Sequence, residues 1–148
     1  MIDLQDILAE LHGTRATIAS QCNDAEVALY HMEQNKALRE EEFAKTGVAT
    51  NKLAAAYSET GKALVMVGLY TKGSELLQKS IEIRQDLEGF TRHALYNCLM
   101  WLGMISWQEG DCDKAIELLL GVLRDRELSF GRDDTKSYRY VSVGNAGE

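Results

Sequence analysis

The sequence contains no proline, few cysteines and no long apolar run, and each of these absences excludes a class of structure. Without proline, the commonest helix breaker is missing from all 148 residues, so twelve glycines have to punctuate the chain. No apolar stretch approaches the ~18 residues of a membrane span, and the first residues are acidic where a secretory signal would be basic. We therefore expect no membrane association and a cytoplasmic location.

Positive charge is also scarce. The chain has 16 lysines and arginines against 23 aspartates and glutamates, a formal charge of −7, and no basic cluster. A phosphate backbone would be repelled on average, so we expect no nucleic-acid partner. The cysteines Cys22, Cys98 and Cys112 are odd in number and lack CxxC spacing, which is typical of reduced cytosolic thiols.

The residues that are present predict one all-α domain covering residues 1–148. Hydrophobic residues make up 45% of the chain and charged residues 26%, as in soluble globular proteins. Apolar residues recur three and four positions apart, and no stretch alternates with period two, so helices are favoured over strands. Representative helical stripes are Leu4, Ile7, Leu8 and Leu11; Leu76, Leu77, Ile81 and Ile83; and Ile116, Leu119, Leu120 and Leu123.

Capping and turn residues divide these stripes into seven predicted helices. The interruptions lie at Asn23-Asp24, Thr46-Gly47, Gly68, Glu88-Gly89, Gly110-Asp111 and 131–134. The helices are predicted near residues 3–22, 24–45, 48–67, 71–88, 91–109, 111–129 and 134–143. Taken in pairs, they form units of about 3–45, 48–88 and 91–129, followed by an unpaired terminal helix.

Internal self-similarity supports this pairing. Six positions are matched 42 residues later, four of them by the same residue and two by a similar one, and three of the positions have a fainter copy 45 residues earlier. We expect three stacked helix pairs and a C-terminal half repeat, close to the minimum for a stable array. Small residues at the repeated positions would allow neighbouring helices to approach closely. The series are Gly61, Gly68, Gly73, Leu77, Ile81 and Arg84; then Gly103, Gly110, Ala115, Leu119, Leu123 and Arg126; and earlier Ala28, Met32 and Arg39.

At these residues the chain resembles the tetratricopeptide repeat, and most closely the longer repeats of kinesin light chains and related fungal sensor proteins. The second unit carries Tyr57, Thr60-Gly61, Leu64, Gly68, Tyr70, Gly73, Leu77 and Ser80-Ile81, and the third carries Leu99, Leu102-Gly103, Gly110, Ala115, Leu119 and Val122-Leu123. The resemblance implies a right-handed superhelical solenoid of antiparallel helix pairs. The usual proline at the end of the second helix is missing throughout.

The resemblance also implies that the first helix of each unit lines a concave groove. Met100, Met104 and Trp107 are four and three residues apart and form one apolar ridge, which is either a contact patch or a face packed against the next helix. The implied groove positions are Ser58, Lys62 and Val65 with Ala55, then Asn97, Met100, Met104 and Trp107, and in the first unit Glu10, Thr17 and Ser20.

Catalytic and metal-binding patterns are not evident. His12, His31 and His93 lie on different predicted helices without HExxH spacing, so we expect them not to converge, and we expect no metal or cofactor.

The favoured hypothesis is an adaptor that binds a peptide or partner helix in the groove, or that forms a homodimer through the terminal helix at Tyr138, Tyr140 and Val141. The alternative is a small-molecule or catalytic pocket edged by Tyr57, Tyr96 or His93.

Overall fold

A computed structural model describes residues 3–87 and 92–130, and over these residues the chain forms six α-helices and no strand. The predicted all-α class is therefore confirmed. None of the described helices combines the length and apolar character that crossing a bilayer requires. The helices are α1 (Leu4–Gln21), α2 (Ala25–Thr46), α3 (Asn51–Met66), α4 (Tyr70–Asp86), α5 (Arg92–Gln108) and α6 (Cys112–Phe130).

Each of these helices begins and ends within three residues of its predicted bounds, because the capping chemistry is local. The Asp24 carboxylate accepts from Val27 N at 3.2 Å at the start of α2, and the Thr50 hydroxyl accepts from Leu53 N at 3.1 Å at the start of α3. Gly47 ends α2 with a left-handed φ of 70°. The predicted terminal helix at 134–143, with Tyr138, Tyr140 and Val141, lies outside the described residues.

One turn geometry recurs three times along the chain. Asn23, Gly68 and Gly110 all have positive φ. At each turn, the following residue donates its N–H to the carbonyl five positions earlier, at 2.8 Å, 2.9 Å and 2.8 Å respectively. These bonds satisfy carbonyls in the last turns of α1, α3 and α5. The left-handed residues are 45 and 42 positions apart, which are the offsets of the sequence repeat.

The chain divides into two compact units, Met1–Trp101 and Leu102–Glu148, with the boundary inside α5. These two do not coincide with the predicted repeat units, and we refer to them as the first and the second unit of the structure. In the first unit, α2 packs against both α1 and α3, and α3 packs against α4. Helices α1 and α3 do not pack against each other. The apolar core of this unit is richest around α3 and α4, where the buried side chains include Leu53, Ala54, Leu64, Leu77 and Ile81.

Glycine permits a close contact between α3 and α4 in the first unit. A Cβ at Gly61 would lie 3.0 Å from Gly73 O, and a Cβ at Gly73 would lie 2.6 Å from Val65 Cγ2 and 2.8 Å from Gly61 O. This confirms the expected role of the small residues at 61 and 73. In the second unit, a Cβ at Gly103 would lie 3.3 Å from Leu119 Cγ, a looser version of the same arrangement.

These contacts predict opposite effects for two glycine-to-alanine substitutions. Gly73→Ala forces α3 and α4 apart, and we expect it to lower the free energy of unfolding by ~1 to 3 kcal/mol. A Cβ at Gly121 on α6 would meet no neighbouring atom within 4 Å, so Gly121→Ala gains helix propensity and should raise the free energy of unfolding by ~0.5 to 1 kcal/mol. Urea unfolding followed by circular dichroism measures both. Equal effects of the two variants would contradict the close α3–α4 contact.

Candidate functional site

An open cleft lies between α1 and α3, and α2 forms its floor. Its volume is about 360 Å³. The cleft exists because α1 and α3 each pack on α2 but not on each other. Its lining comes from Glu10, Gly13, Thr14, Ala16 and Thr17 of α1, Met32, Asn35 and Arg39 of α2, and Lys52, Ala55, Ala56, Glu59 and Thr60 of α3.

Short side chains and internally bonded polar groups keep the cleft clear. The walls include Gly13, Ala16, Ala55 and Ala56, which are too small to fill the space between the helices. Asn35 on the floor donates from Nδ2 to Ala9 O at 2.6 Å, so its amide is held against α1. Ala16 and Ala56 are themselves buried, whereas Thr17 and Glu59 on the same walls are exposed.

One end of the cleft is a network of charges around Arg39. This guanidinium is only 3% exposed, and it donates to Asp6, to Glu10 Oε1 at 2.7 Å and to Glu42 Oε2 at 3.2 Å. Lys52 of α3 reaches across to the same carboxylates of α1, 3.1 Å from Asp6 and 3.3 Å from Glu10. We call these five residues the Arg39 cluster; it is the direct link between α1 and α3.

The Arg39 cluster shifts the pKa of three of its members, Asp6, Arg39 and Lys52. Hydrogen bonds from Arg39 and then from Lys52 lower the pKa of Asp6. Burial by itself would lower the pKa of Arg39, but the hydrogen bonds to Asp6 and Glu42 and the attraction of Asp6 and Glu10 outweigh burial and raise it. Hydrogen bonds to Asp6 and Glu10 raise the pKa of Lys52. All three groups are therefore charged at neutral pH.

A second, more apolar cavity of about 220 Å³ adjoins the cleft, with Met32 and Glu59 lining both. Lys62 stands at this junction, with Nζ 3.1 Å from Glu59 Oε1. The cleft therefore runs from a charged end to an apolar end. The remaining lining residues are Ser20, Asn23, Ala25, Ala28, Ala63, Met66 and Trp101.

The groove residues that the resemblance implies in the first unit either line one of the two cavities or are buried. Lys62 lines the apolar cavity, as does Ser20, and the cleft is lined by Glu10, Thr17 and Ala55. By contrast, Ser58 is buried and its hydroxyl lies 3.5 Å from Arg84 Nη2, and Val65 is buried against Gly73.

The groove candidates on α5 line neither cavity. The side chains of Met100, Met104 and Trp107 are exposed, Trp107 most of all at 62%. The Asn97 Oδ1 atom is buried and has no hydrogen-bond donor. Trp101 lines the apolar cavity instead. Its position in the apolar pattern of α5 gave no reason to expect this residue, and not its neighbours, in the lining.

Two histidines do converge, contrary to the expectation from their positions in the sequence. Nδ1 of His12 on α1 lies 2.9 Å from Nδ1 of His31 on α2, and the ring centroids are 5.2 Å apart. The side chain of His93 lies outside the described residues. Within the part of the chain that the structure describes, no three His, Cys, Asp or Glu side chains are grouped to hold a metal ion.

Tyr57, one of the residues considered for a catalytic pocket, is not suited to act as a base at neutral pH. Its hydroxyl donates to Glu40 Oε2 at 3.0 Å. Burial and then this hydrogen bond raise the pKa of Tyr57 to about 12, so the phenol stays protonated.

No protein-family model matches the chain, and no curated protein is significantly similar to it. Its function is therefore inferred from the geometry of the cleft.

The Arg39 cluster predicts that stability depends on the charge of Asp6. Because the pKa of Asp6 is lowered in the folded chain, its contribution is full above the ordinary carboxyl pKa and is lost as the pH falls through the folded value. We expect Asp6→Asn to lower the melting temperature at neutral pH and to have much less effect at a pH low enough to protonate the wild-type carboxylate. Asp86→Asn, at an exposed position on α4, is the control. An equal loss at both pH values would contradict the ionic role.

Proposed function

We propose that this protein is an interaction module that binds a peptide or partner helix in the cleft between α1 and α3. The observation that carries this proposal is the elongated cleft itself, with the Arg39 cluster at one end and the apolar cavity at the other. A polypeptide segment offers both kinds of contact along its length. An adaptor is therefore the function that the geometry supports best.

The recurrence of turns and close contacts supports a tetratricopeptide-like solenoid as the scaffold. Left-handed residues at 23, 68 and 110 and the glycine contacts at 61 and 103 follow the 45- and 42-residue offsets. We therefore propose three helix pairs in a right-handed array. The exposed ridge of Met100, Met104 and Trp107 on α5 is proposed as a further contact surface for a protein partner, and the terminal helix as a route to a homodimer.

The openness of the cleft favours a polypeptide over a small molecule. The side chains of Glu10, Lys52 and Glu59, on opposite walls, are between 55% and 59% exposed. Small-molecule sites bury ~70 to 90% of their ligand, which requires walls that close over it. A cleft with exposed, charged edges fits a longer chain that continues beyond the walls.

The binding experiment is a selection from a displayed random-peptide library on the full chain, followed by affinity measurement for the enriched peptides. Thr17→Trp places a bulky ring in the cleft from the exposed face of α1, and we expect it to weaken binding at least ~10-fold, a change of about 1.4 kcal/mol. Gln78→Trp adds the same ring at an exposed position on α4 away from the cleft and should bind like the wild type.

Circular dichroism of both tryptophan variants checks that they fold. Failure to enrich any peptide, or equal binding by Thr17→Trp and Gln78→Trp, would overturn the proposed binding site.

A further inference from the structure

The α1–α2 interface relies on alanines and polar pairs and includes few large apolar side chains. Its buried residues include Ala9, Ala16 and Ala19 on α1 and Ala28 on α2. Next to them lie the Asn35 bond to Ala9 O and the His12–His31 contact. The large aliphatic side chains of α1 point elsewhere and are exposed, namely Leu4, Ile7, Leu8, Leu11 and Ile18. Because little apolar area holds α1 to α2, each polar pair matters more for this interface.

The His12–His31 contact can hold only one proton between its two Nδ1 atoms. At 2.9 Å, one Nδ1–H donates and the other Nδ1 accepts, so two neutral rings must be in opposite tautomers. When both rings are protonated, neither Nδ1 can accept and two positive charges face each other. A second proton therefore turns an attractive contact into a repulsive one.

The surroundings do not compensate for that second charge. Burial, then the charge of His31, then that of Arg15 on α1 lower the pKa of His12. On α2, the Tyr30 ring stands edge-on to His31, with centroids 5.1 Å apart. Among the described residues, no carboxylate forms an ion pair with either imidazole.

The charged groups of the neighbouring cleft are also engaged elsewhere. Lys52 of α3 pairs with Asp6 and Glu10, and Glu59 pairs with Lys62 on the same helix. The carboxylates that could stabilise an imidazolium thus already have cations as partners.

The histidine pair adjoins the cleft on both helices, next to its α1 wall and its α2 floor. Gly13, which follows His12, lines the cleft on α1, and Met32, which follows His31, lines both the cleft and the apolar cavity. Asn35, one turn after His31, also lines the cleft. Any separation of α1 from α2 at the pair therefore displaces one wall of the cleft from its floor.

We propose that the His12–His31 pair is a pH-sensitive lock on the cleft, which holds α1 against α2 near neutral pH and releases it when the pair takes up a second proton. This regulation rests on the peptide-binding function proposed above. Since the folded pKa of His12 is lowered, its stabilising effect is full above the ordinary imidazole pKa of about 6.5 and is lost as the pH falls through that value towards the folded one. The cleft then loses its binding geometry in mildly acidic solution.

Hydrogen exchange of the full chain measures the lock without any ligand. Exchange rates are measured at about pH 7.5 and about pH 5.5 and corrected for the intrinsic pH dependence of exchange, so that they report the opening of each helix. EDTA is present so that no metal ion bridges the two rings. We expect the opening of α1 to rise several-fold at the lower pH, with a much smaller change in α3 and α4.

The matched variants test whether the pair is responsible. His12→Asn with His31→Asn keeps short donor and acceptor groups that do not titrate, and should remove the pH dependence of α1. His93→Asn removes the remaining histidine of the sequence and should leave that dependence intact. Opening of α1 that is the same at both pH values in the wild type, or that persists unchanged in the double variant, would overturn the lock.

Peptide binding distinguishes failure of the lock from failure of the proposed function. A library-selected peptide should lose affinity several-fold at the lower pH for the wild type but not for the double variant. Affinity that is independent of pH, together with unchanged α1 exchange, rejects the lock while the cleft stands as a binding site. Failure to select any peptide, with pH-dependent α1 exchange present, rejects the binding function while the lock itself stands.

Discussion

The guanidinium of Arg39 is 3% exposed and is bonded to carboxylates of two helices, Asp6 and Glu10 on α1 and Glu42 on α2. A buried cation without such partners would be strongly destabilising, so the position of α1 on α2 and the neutralisation of Arg39 are inseparable. Lys52 then connects the same two carboxylates of α1 to α3. The cleft is bounded at this end by charge, since α1 and α3 have no direct packing to set their separation.

The two helix pairs of the first unit are held by different forces. Between α3 and α4, Gly61 and Gly73 let the backbones approach, and the fully buried Leu77 packs beside them. Between α1 and α2, alanines and polar contacts replace large apolar side chains. Apolar burial changes little with pH or salt, whereas ionic and imidazole contacts change with both. We therefore expect the α1 wall of the cleft to be the part of this unit whose position responds most to pH and salt.

Local features of the sequence predicted the all-α class and the bounds of the six described helices, whereas the site depends on contacts between helices. Asp24, Gly68 and Gly110 act on their own turns, so the helix bounds followed from capping and turn chemistry. The cleft depends on the separation of α1 from α3, which no residue pattern encodes locally. The His12–His31 contact joins positions 19 apart in sequence. The one pattern that could have predicted it is that each histidine lies on the same helix face as residues of the α1–α2 interface. Ala9, His12 and Ala16 share one face of α1, and Ala28, His31 and Asn35 share one face of α2.

The register of the repeat explains why the cleft opens beside the first helix pair. Counting back 45 positions from the second pair, Arg84 corresponds to Arg39, Ser58 to Gly13 and Ser80 to Asn35. In the second pair, the buried Arg84 donates from Nε to Ser80 Oγ at 3.1 Å and lies 3.5 Å from Ser58 Oγ, so the hydroxyls occupy the space beside it.

The carboxylate positions of the first pair have no acidic counterpart in the second, because Asp6, Glu10 and Glu42 correspond to Asn51, Ala55 and Leu87. Arg39 consequently turns towards the acids of α1, and Gly13, lacking a side chain, leaves open the space that Ser58 fills in the second pair. The arginine of the first pair is thus bonded to carboxylates where that of the second pair is bonded to hydroxyls, and the buried position of Ser58 becomes the partly exposed position of Gly13.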